Sequence, residues 1–376
     1  MKLLHTGDLH LDSAFRAYGA RDAEKQRELG RDLLRRIFAL ARDESCDLIL
    51  IAGDLFDSKF VSPETGDLFC SLVSENNIPV VVSPGNHDPY VEGGFYAKAS
   101  ALLGELLYVF SAPELQFFDI DSLRARIFGY AFNAPALAQS PLAESEPPED
   151  NGYVKLFCGH TELGAALSRY APISEEELER FGFSYAALGH VHNGHTNTYL
   201  HGRAAYCGFA EGRSFDELGD GGVWLVDIDG DGMRRERKIL SERAFCIVDV
   251  DVNADETSES LRNKINAEIA ALGLNGEIHA RVRLQGVSDG SLADIIRSSD
   301  VLRRVCSLTT LELVDETLPL LDGEYLERDT TLRGELYRIL LPKLTSKDSQ
   351  ERRTALRALR IGLAAIEGKN IFNTTE

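Results

Sequence analysis

Residues 47–88 read DLILIAGDLFDSKFVSPETGDLFCSLVSENNIPVVVSPGNHD. The segment opens and closes on short apolar runs, DLILIAGD (47–54) and IPVVVSPGNHD (78–88), each passing into a glycine-containing turn that carries acids, an amide or a histidine. Continuous apolar runs of about four to eight residues, bounded by turn signals, read as strands buried on both faces. Between them, residues 63–76 form a predicted helix with Ser62 as N-cap and Pro63 in the first turn, where its missing N–H is not needed. The same unit recurs upstream. KLLHTGD (2–8) is a third strand of this kind, and residues 22–44 place Leu29, Leu33, Ile37 and Leu40 at helical spacing. A β-α-β-α-β order predicts a parallel sheet with right-handed crossovers. Function in such sheets gathers beyond the carboxyl ends of the strands.

Downstream of residue 106 the rhythm becomes β-rich, in LLYVF, LQFFDI, LRARIFGYAF, YVKLFCGH, YAALGHVH and GVWLVDIDG. Residues 138–152, AQSPLAESEPPEDNG, are acidic and proline-rich and read as a mobile surface insertion. No internal repeat is visible. Past a boundary near residue 240, AFCIVDVDV, a helix over 257–272, IHARVRLQG, a short helix over 291–298 and LTTLELV predict a small α+β domain. The tail, 329–369, is helical again. In its second helix Leu356, Leu359, Leu363 and Ile366 form an apolar stripe beside Arg352, Arg353, Arg357 and Arg360, which either closes its own domain or docks a partner.

The chain has 376 residues, 44% hydrophobic and 27% charged, the composition of a globular protein large enough for two domains without disulfide staples. Its net charge of −20 (60 Asp+Glu against 40 Lys+Arg) excludes a nucleic-acid binder driven by bulk positive charge. It does not exclude nucleic acid, because a bound metal pair supplies positive charge locally. Six cysteines without a CxxC pair argue against a disulfide scaffold or zinc ribbon and fit reduced thiols in a cytosolic compartment. MKLLHTGDLH turns polar within five residues, and no apolar run approaches 18, so a cytoplasmic chain with neither signal peptide nor membrane span is expected.

The chemistry-bearing residues follow the predicted strands: Asp8 and His10 in GDLH, Asp54 and Asp57 in GDLFD, Asn86 and His87 in GNHD, His160 in CGH, His190 and His192 in GHVHNGH. At a strand end, residues two apart point the same way, so Asp8 with His10, and His190 with His192, can each aim two donors at one point. Mixed Asp/Asn/His ligation without cysteine suits Mn²⁺, Fe²⁺, Mg²⁺ or Zn²⁺ in an open, catalytic arrangement. A shared carboxylate can bridge two such ions, the arrangement of two-metal phosphoryl chemistry. Any one motif is weak; a lone strand-end histidine is more often a satisfied turn residue. Five in this order are another matter.

The series GDLH, GDLFD, GNHD, GH, GHVH, spanning residues 8–192, resembles the calcineurin-like metallophosphoesterase superfamily. HLDSAF (10–15) and YCGFAEGRSFDELGDGGVWLVDI (206–228) are similar to the bacterial SbcD and YhaO-type DNA repair exonucleases, although GFAEGR (208–213) departs from their usual GSP-type turn. The resemblance implies a four-layer α/β/β/α sandwich over 1–240, an α+β capping domain over 241–327 and a helical tail over 328–376 that grips an SMC-like coiled-coil ATPase. It implies one metal on Asp8, His10, Asp54 and His192, and a second on Asp54, Asn86, His160 and His190, with Asp54 bridging and manganese the expected ion. His87 is then the unligated catalytic histidine, and Asp57 the acid that orients it.

These expectations amount to a DNA exonuclease and endonuclease subunit in which a pair of cations lowers the pKa of a bridging water while His87 assists the leaving group. DNA, the ATPase and, as an option, a second copy of the chain are the implied partners. A phosphoesterase of small substrates such as cyclic nucleotides, and a scaffold with a vestigial site, are the alternatives. Arg213 is a candidate phosphate contact or else a salt bridge within GRSFDELGD; His195 is a supporting group or an exposed turn residue; His5 and Trp224 read as core.

Overall fold

The computed structural model describes residues 1–15, 19–147, 149, 151–230, 232–288, 303–304, 306–319, 323–366 and 368. The chain divides into two units, Met1–Ala244 and Phe245–Glu376.

In the first unit β1 (Lys2–Thr6), β2 (Leu48–Ile51) and β3 (Val80–Val82) are parallel neighbours. Helices α1 (Ala20–Asp43) and α2 (Pro63–Asn76) are the crossovers, and Ser62 Oγ caps α2 by accepting the Thr65 N–H. Helix α3 (Phe95–Leu103), which the sequence pattern did not single out, leads to β4 (Leu107–Val109) on the edge of the same sheet. A second sheet runs in the order β5 (Gln116–Ile120), β6 (Ala125–Gly129), β7 (Val154–His160), β8 (Tyr185–Gly189) and β9 (Ala204–Tyr206), with α4 (Glu175–Phe181) between β7 and β8. The start of α4 is a capping box between Ser174 and Glu177. Strands β10 (Gly222–Asp229) and β11 (Gly232–Ile239) return to the first sheet, where β10 lies antiparallel to β1.

Period-two alternation sorts the strand residues into separate cores. Leu4, Ile49, Ile51, Val80 and Val82 face Leu33, Ile37 and Phe69 of α1 and α2. Their neighbours Leu3, Leu48, Leu50 and Val81 meet Ile127, Leu156, Tyr185 and Ala187 of the second sheet. The opposite face of that sheet packs Phe128, Phe157, Ala186 and Leu188 on Leu178 and Phe181 of α4. Each such side chain contributes about 1.5–3 kcal/mol on burial, so the strand ends that carry the polar cluster rest on rigid ground. His5 is buried in β1, with Nδ1 2.8 Å from the Tyr185 hydroxyl. The 138–152 segment is not a wholly mobile insertion. Leu142 is fully buried, and Arg180 Nη2 donates to the carbonyls of Leu142 and Ser145 at 2.7 and 2.9 Å, which ties down residues 140–145.

The second unit pairs β12 (Arg243–Val252, which begins at the end of the first) with β13 (Glu277–Ser288), and β13 with β14 (Thr310–Asp315) and β15 (Leu318–Pro319). Helix α5 (Ser258–Ala271) lays Leu261, Ile265 and Ile269 on Val248, Val250, Val282 and Leu284. Helices α6 (Gly323–Arg328), α7 (Leu332–Leu344) and α8 (Ser349–Ile366) follow. Along the expected stripe of α8, Leu359 and Leu363 are buried while Ile366 is exposed. The helix expected over 291–298 lies outside the described residues. No helix among the described residues is long and apolar enough to cross a membrane.

Candidate metal centre

Asp8 and His10 follow β1, Asp54 and Asp57 follow β2, Asn86 and His87 follow β3, His160 closes β7, and His190 and His192 follow β8. Strand alternation does not bring them together. β1 stops at Thr6 and β8 at Gly189, and Asp8, His10, Asp54 and His190 take positive φ angles of 51, 45, 48 and 98°. Left-handed backbone costs a non-glycine residue about 1–2 kcal/mol, and it clusters where function demands it. Hydrogen bonds hold these turns in register: Asp8 N–H to Gly53 O at 3.0 Å, His10 N–H to Asp54 O at 2.9 Å, and His190 N–H to both Asp8 carboxylate oxygens.

The donors form two neighbouring groups. His10 Nε2 lies 3.3 Å from His192 Nε2, which is 3.9 Å from Asp8 Oδ1. On the other side His160 Nε2 is 3.0 Å from Asn86 Oδ1 and 3.2 Å from His190 Nδ1. Asp54 Oδ2 stands between the groups, 3.3 Å from His160 Nε2 and 3.7 Å from His10 Nε2, while its Oδ1 accepts the His87 N–H. Three triplets, Asp8–His10–His192, His10–Asp54–His87 and Asp8–Asp54–His160, each bring their donor atoms within 4.8 Å of one another. This convergence of carboxylate, imidazole and amide donors, with no thiolate among them, fits divalent cations of the Mn²⁺, Mg²⁺, Fe²⁺ or Zn²⁺ type. Gly85 is required by close approach, because a Cβ there would stand 2.2 Å from Asp54 Oδ1.

Three histidines are anchored from outside the cluster. Nδ1 faces Asp57 Oδ1 at 3.2 Å in His10, Glu217 Oε1 at 2.8 Å in His192, and the Ala52 carbonyl at 3.0 Å in His160. An outward Nδ1–H fixes the tautomer that turns an Nε2 lone pair inward. The expected role of Asp57 is to orient His87. Its carboxylate lies 3.7 Å from His87 Nδ1, and the nearer contact to that nitrogen is the Asp57 backbone carbonyl at 3.3 Å. The carboxylate is closer to His10.

Two groups that the sequence reading passed over sit behind the cluster. Asp88, the last letter of GNHD, is 1% exposed and accepts from the backbone of Asp54, Phe56 and Gly85 and from the Tyr96 hydroxyl, stapling the β2 and β3 turns together. Burial and the Asp54 charge push its pKa up, to about 7, against the pull of those donors. Glu217 of SFDE is buried between His192 and Arg213. Burial would raise its pKa, but the bonds from these two partners hold it at about 2, so it stays a carboxylate. Position within the GNHD motif was a usable signal for Asp88. Glu217 lies 25 residues from His192 with no spacing cue. Arg213 donates through Nε and Nη2 to Glu217, the salt-bridge alternative for that residue. His195 is half-buried, its ring edge-on to Phe209.

The model of the calcineurin-like phosphoesterase family matches residues 1–194, more than half of the chain. The chain belongs to this family. Members are metal-dependent hydrolases of phosphoester bonds, and so is this protein. Among relatives, metallophosphoesterase YhaO of Bacillus subtilis is 28% identical over 306 residues, covering 77% of this chain and 72% of that one. The DNA double-strand break repair protein Mre11 of Methanopyrus kandleri is 24% identical over 288 residues, 70% of this chain. The match spans 62% of the Mre11 protein, less than two thirds of its length. The SbcD component of the SbcCD nuclease of Staphylococcus epidermidis is 26% identical over 263 residues, with 63% and 68% coverage.

Proposed function

We propose that this phosphoesterase is a two-cation phosphodiesterase acting on DNA, a cytoplasmic nuclease subunit of repair type that works with an SMC-like coiled-coil ATPase. The observation that carries the reading is how the cluster meets solvent. Asp8, Asp54 and His160 are buried at its floor, whereas the side chains of His192 and His87 are 27% and 46% exposed. An acid–base group open at the surface admits a polymer whose scissile bond lies mid-chain. The nuclease and break-repair names of the relatives support the same substrate class. Residues 241–327 as a cap and 328–376 as a docking tail belong to this reading. The basic stretch 338–360, seven Lys/Arg against two acids, partly offsets the net charge of −20.

One cation is assigned to Asp8, His10, Asp54 and His192, and the second to Asn86, His160, His190 and the shared Asp54, with manganese as the ion. When bound, the pair supplies positive charge and Lewis acidity at the phosphate. The chain's own groups do the rest. Asp57 and Glu217 hold His10 and His192 with their Nε2 atoms inward. His87, its Nδ1 against the Asp57 carbonyl, has Nε2 free to deliver a proton to the departing sugar oxygen. Nothing in this inventory depends on base identity, so cleavage is sequence-independent.

Purified chain with Mn²⁺ is expected to degrade linear duplex DNA. Turnover of a small chromogenic diester with no attack on DNA, even with the ATPase added, overturns the DNA assignment. Deleting residues 345–376 is expected to abolish co-purification with the ATPase and to spare diester hydrolysis; loss of both means the tail holds the fold.

Glu217→Gln keeps the shape but removes the charge behind His192. Manganese affinity is expected to fall by roughly 10–100-fold, read by titration with electron paramagnetic resonance; unchanged affinity would remove Glu217 from the account.

Protons compete for the same atoms. Burial disfavours a charge on His160, but the adjacent Asp54, with Asp8, outweighs it and lifts the imidazole to about 9, while burial and that charge push His190 down to about 4. The metal-free chain therefore holds a proton on His160 at neutral pH, and metal must displace it. Below about pH 9 the apparent affinity is expected to fall by about tenfold per unit as pH drops, and more steeply once His192 also takes a proton. Burial lowers the pKa of His192, but the Glu217 bond and the Asp8 charge together raise it as well, so calorimetry in buffers of different ionisation enthalpy should show net proton release on metal binding at pH 7.

A further inference from the structure

Cys207 follows β9 and is 1% exposed. Its thiol donates to Asp8 Oδ2 at 3.2 Å, a contact between residues 199 positions apart. The two Asp8 oxygens share the His190 N–H, at 3.1 and 3.0 Å, and Oδ1 lies 3.9 Å from the inward-turned His192 Nε2. Cys207 is itself held on several sides. Its N–H donates to Leu188 O at 2.8 Å, its carbonyl accepts Arg237 Nη1 at 2.7 Å, and the preceding Tyr206 carbonyl accepts Trp224 Nε1 at 2.9 Å. Gly7, having no side chain, leaves space for Sγ beside the β1 turn, since a Cβ there would stand 3.0 Å from it.

We propose that Cys207 is a positioning residue for metal-dependent hydrolysis: its thiol holds Asp8 Oδ2 and so presents Oδ1 to the cation. The proposal rests on the assignment of Asp8 as a ligand. Without the thiol, Oδ2 keeps only the His190 N–H that it shares with Oδ1, and any turn about the Cβ–Cγ bond away from the ligating pose weakens binding. A thiol is a weak, neutral donor. It therefore orients the carboxylate without offering a positive charge that would compete with the cation.

The experiment compares the full chain with Cys207→Ala, Cys207→Ser and Asp8→Asn, reading manganese affinity, kcat and KM on a small chromogenic diester, and the one infrared S–H band, among those of six cysteines, that Cys207→Ser removes. Cys207→Ala is expected to weaken manganese binding by roughly tenfold and to lower kcat at subsaturating metal with KM for the diester little changed. Cys207→Ser, which restores a donor, recovers most of the loss. The S–H band shifts when manganese is added. Loss of affinity in Asp8→Asn with none in Cys207→Ala overturns the proposal alone. Unchanged affinity in Asp8→Asn overturns the ligand assignment beneath it as well. A Cys207→Ala defect that serine does not rescue marks packing rather than positioning and also overturns it. If the alanine variant does not fold, the infrared band decides, and a band indifferent to manganese contradicts the proposal.

Discussion

Asp54→Asn is expected to lower hydrolysis of a small phosphodiester by roughly 10³-fold or more, which corresponds to about 4 kcal/mol of transition-state stabilisation. The substitution is nearly isosteric. The new amide keeps an oxygen able to accept the His87 N–H, so the β3 turn survives. What disappears is the negative charge that stands 3.3 Å from His160 Nε2 and 3.7 Å from His10 Nε2. Metal content should fall below two ions per chain together with the rate. Elemental analysis alongside a diester assay checks both. A variant that binds two ions and turns over normally would place the shared ligand elsewhere.

His87→Ala is expected to cut hydrolysis by roughly 10²–10⁴-fold, the range of a lost general acid, while both ions stay bound. The side chain is 46% exposed, and its hydrogen bond to Asp54 comes from the backbone, which alanine retains. Stability should therefore change little. The loss should also be smaller for a diester with a good leaving group, which needs no proton, than for one with an alkyl leaving group. Equal losses on both would assign His87 to binding rather than to proton transfer. Full activity would remove it from the mechanism.

Much of this was legible in the sequence because a parallel sheet writes its own signature. Strands buried on both faces must be continuously apolar, so DLILIA and IPVVV announce themselves, and Ser62–Pro63 marks the helix start between them. Candidate donors stand out only as a series, because one polar residue after a strand is ordinary turn chemistry while five such motifs in order are not. What stayed hidden is contact across distance. Nothing in the spacing tells that Glu217 backs His192, that Asp57 lies nearer His10 than His87, or that Cys207 meets Asp8. Local rules also misled. Alternation treated His190 and His192 as a pair aimed at one point, yet the positive φ of His190 turns it to His160 and sends His192 toward His10. Composition made 138–152 look loose, because the burial of Leu142 and the reach of Arg180 are properties of the folded partners.

Diffraction from crystals soaked in manganese, with an anomalous difference map recorded at the manganese edge, tests the centre most directly. Two peaks about 3.5–4 Å apart, one on either side of Asp54 Oδ2, are the expected result. A map with no peak within coordination distance of Asp54, or with ions bound only elsewhere on the chain, would contradict the two-cation centre and the mechanism built on it.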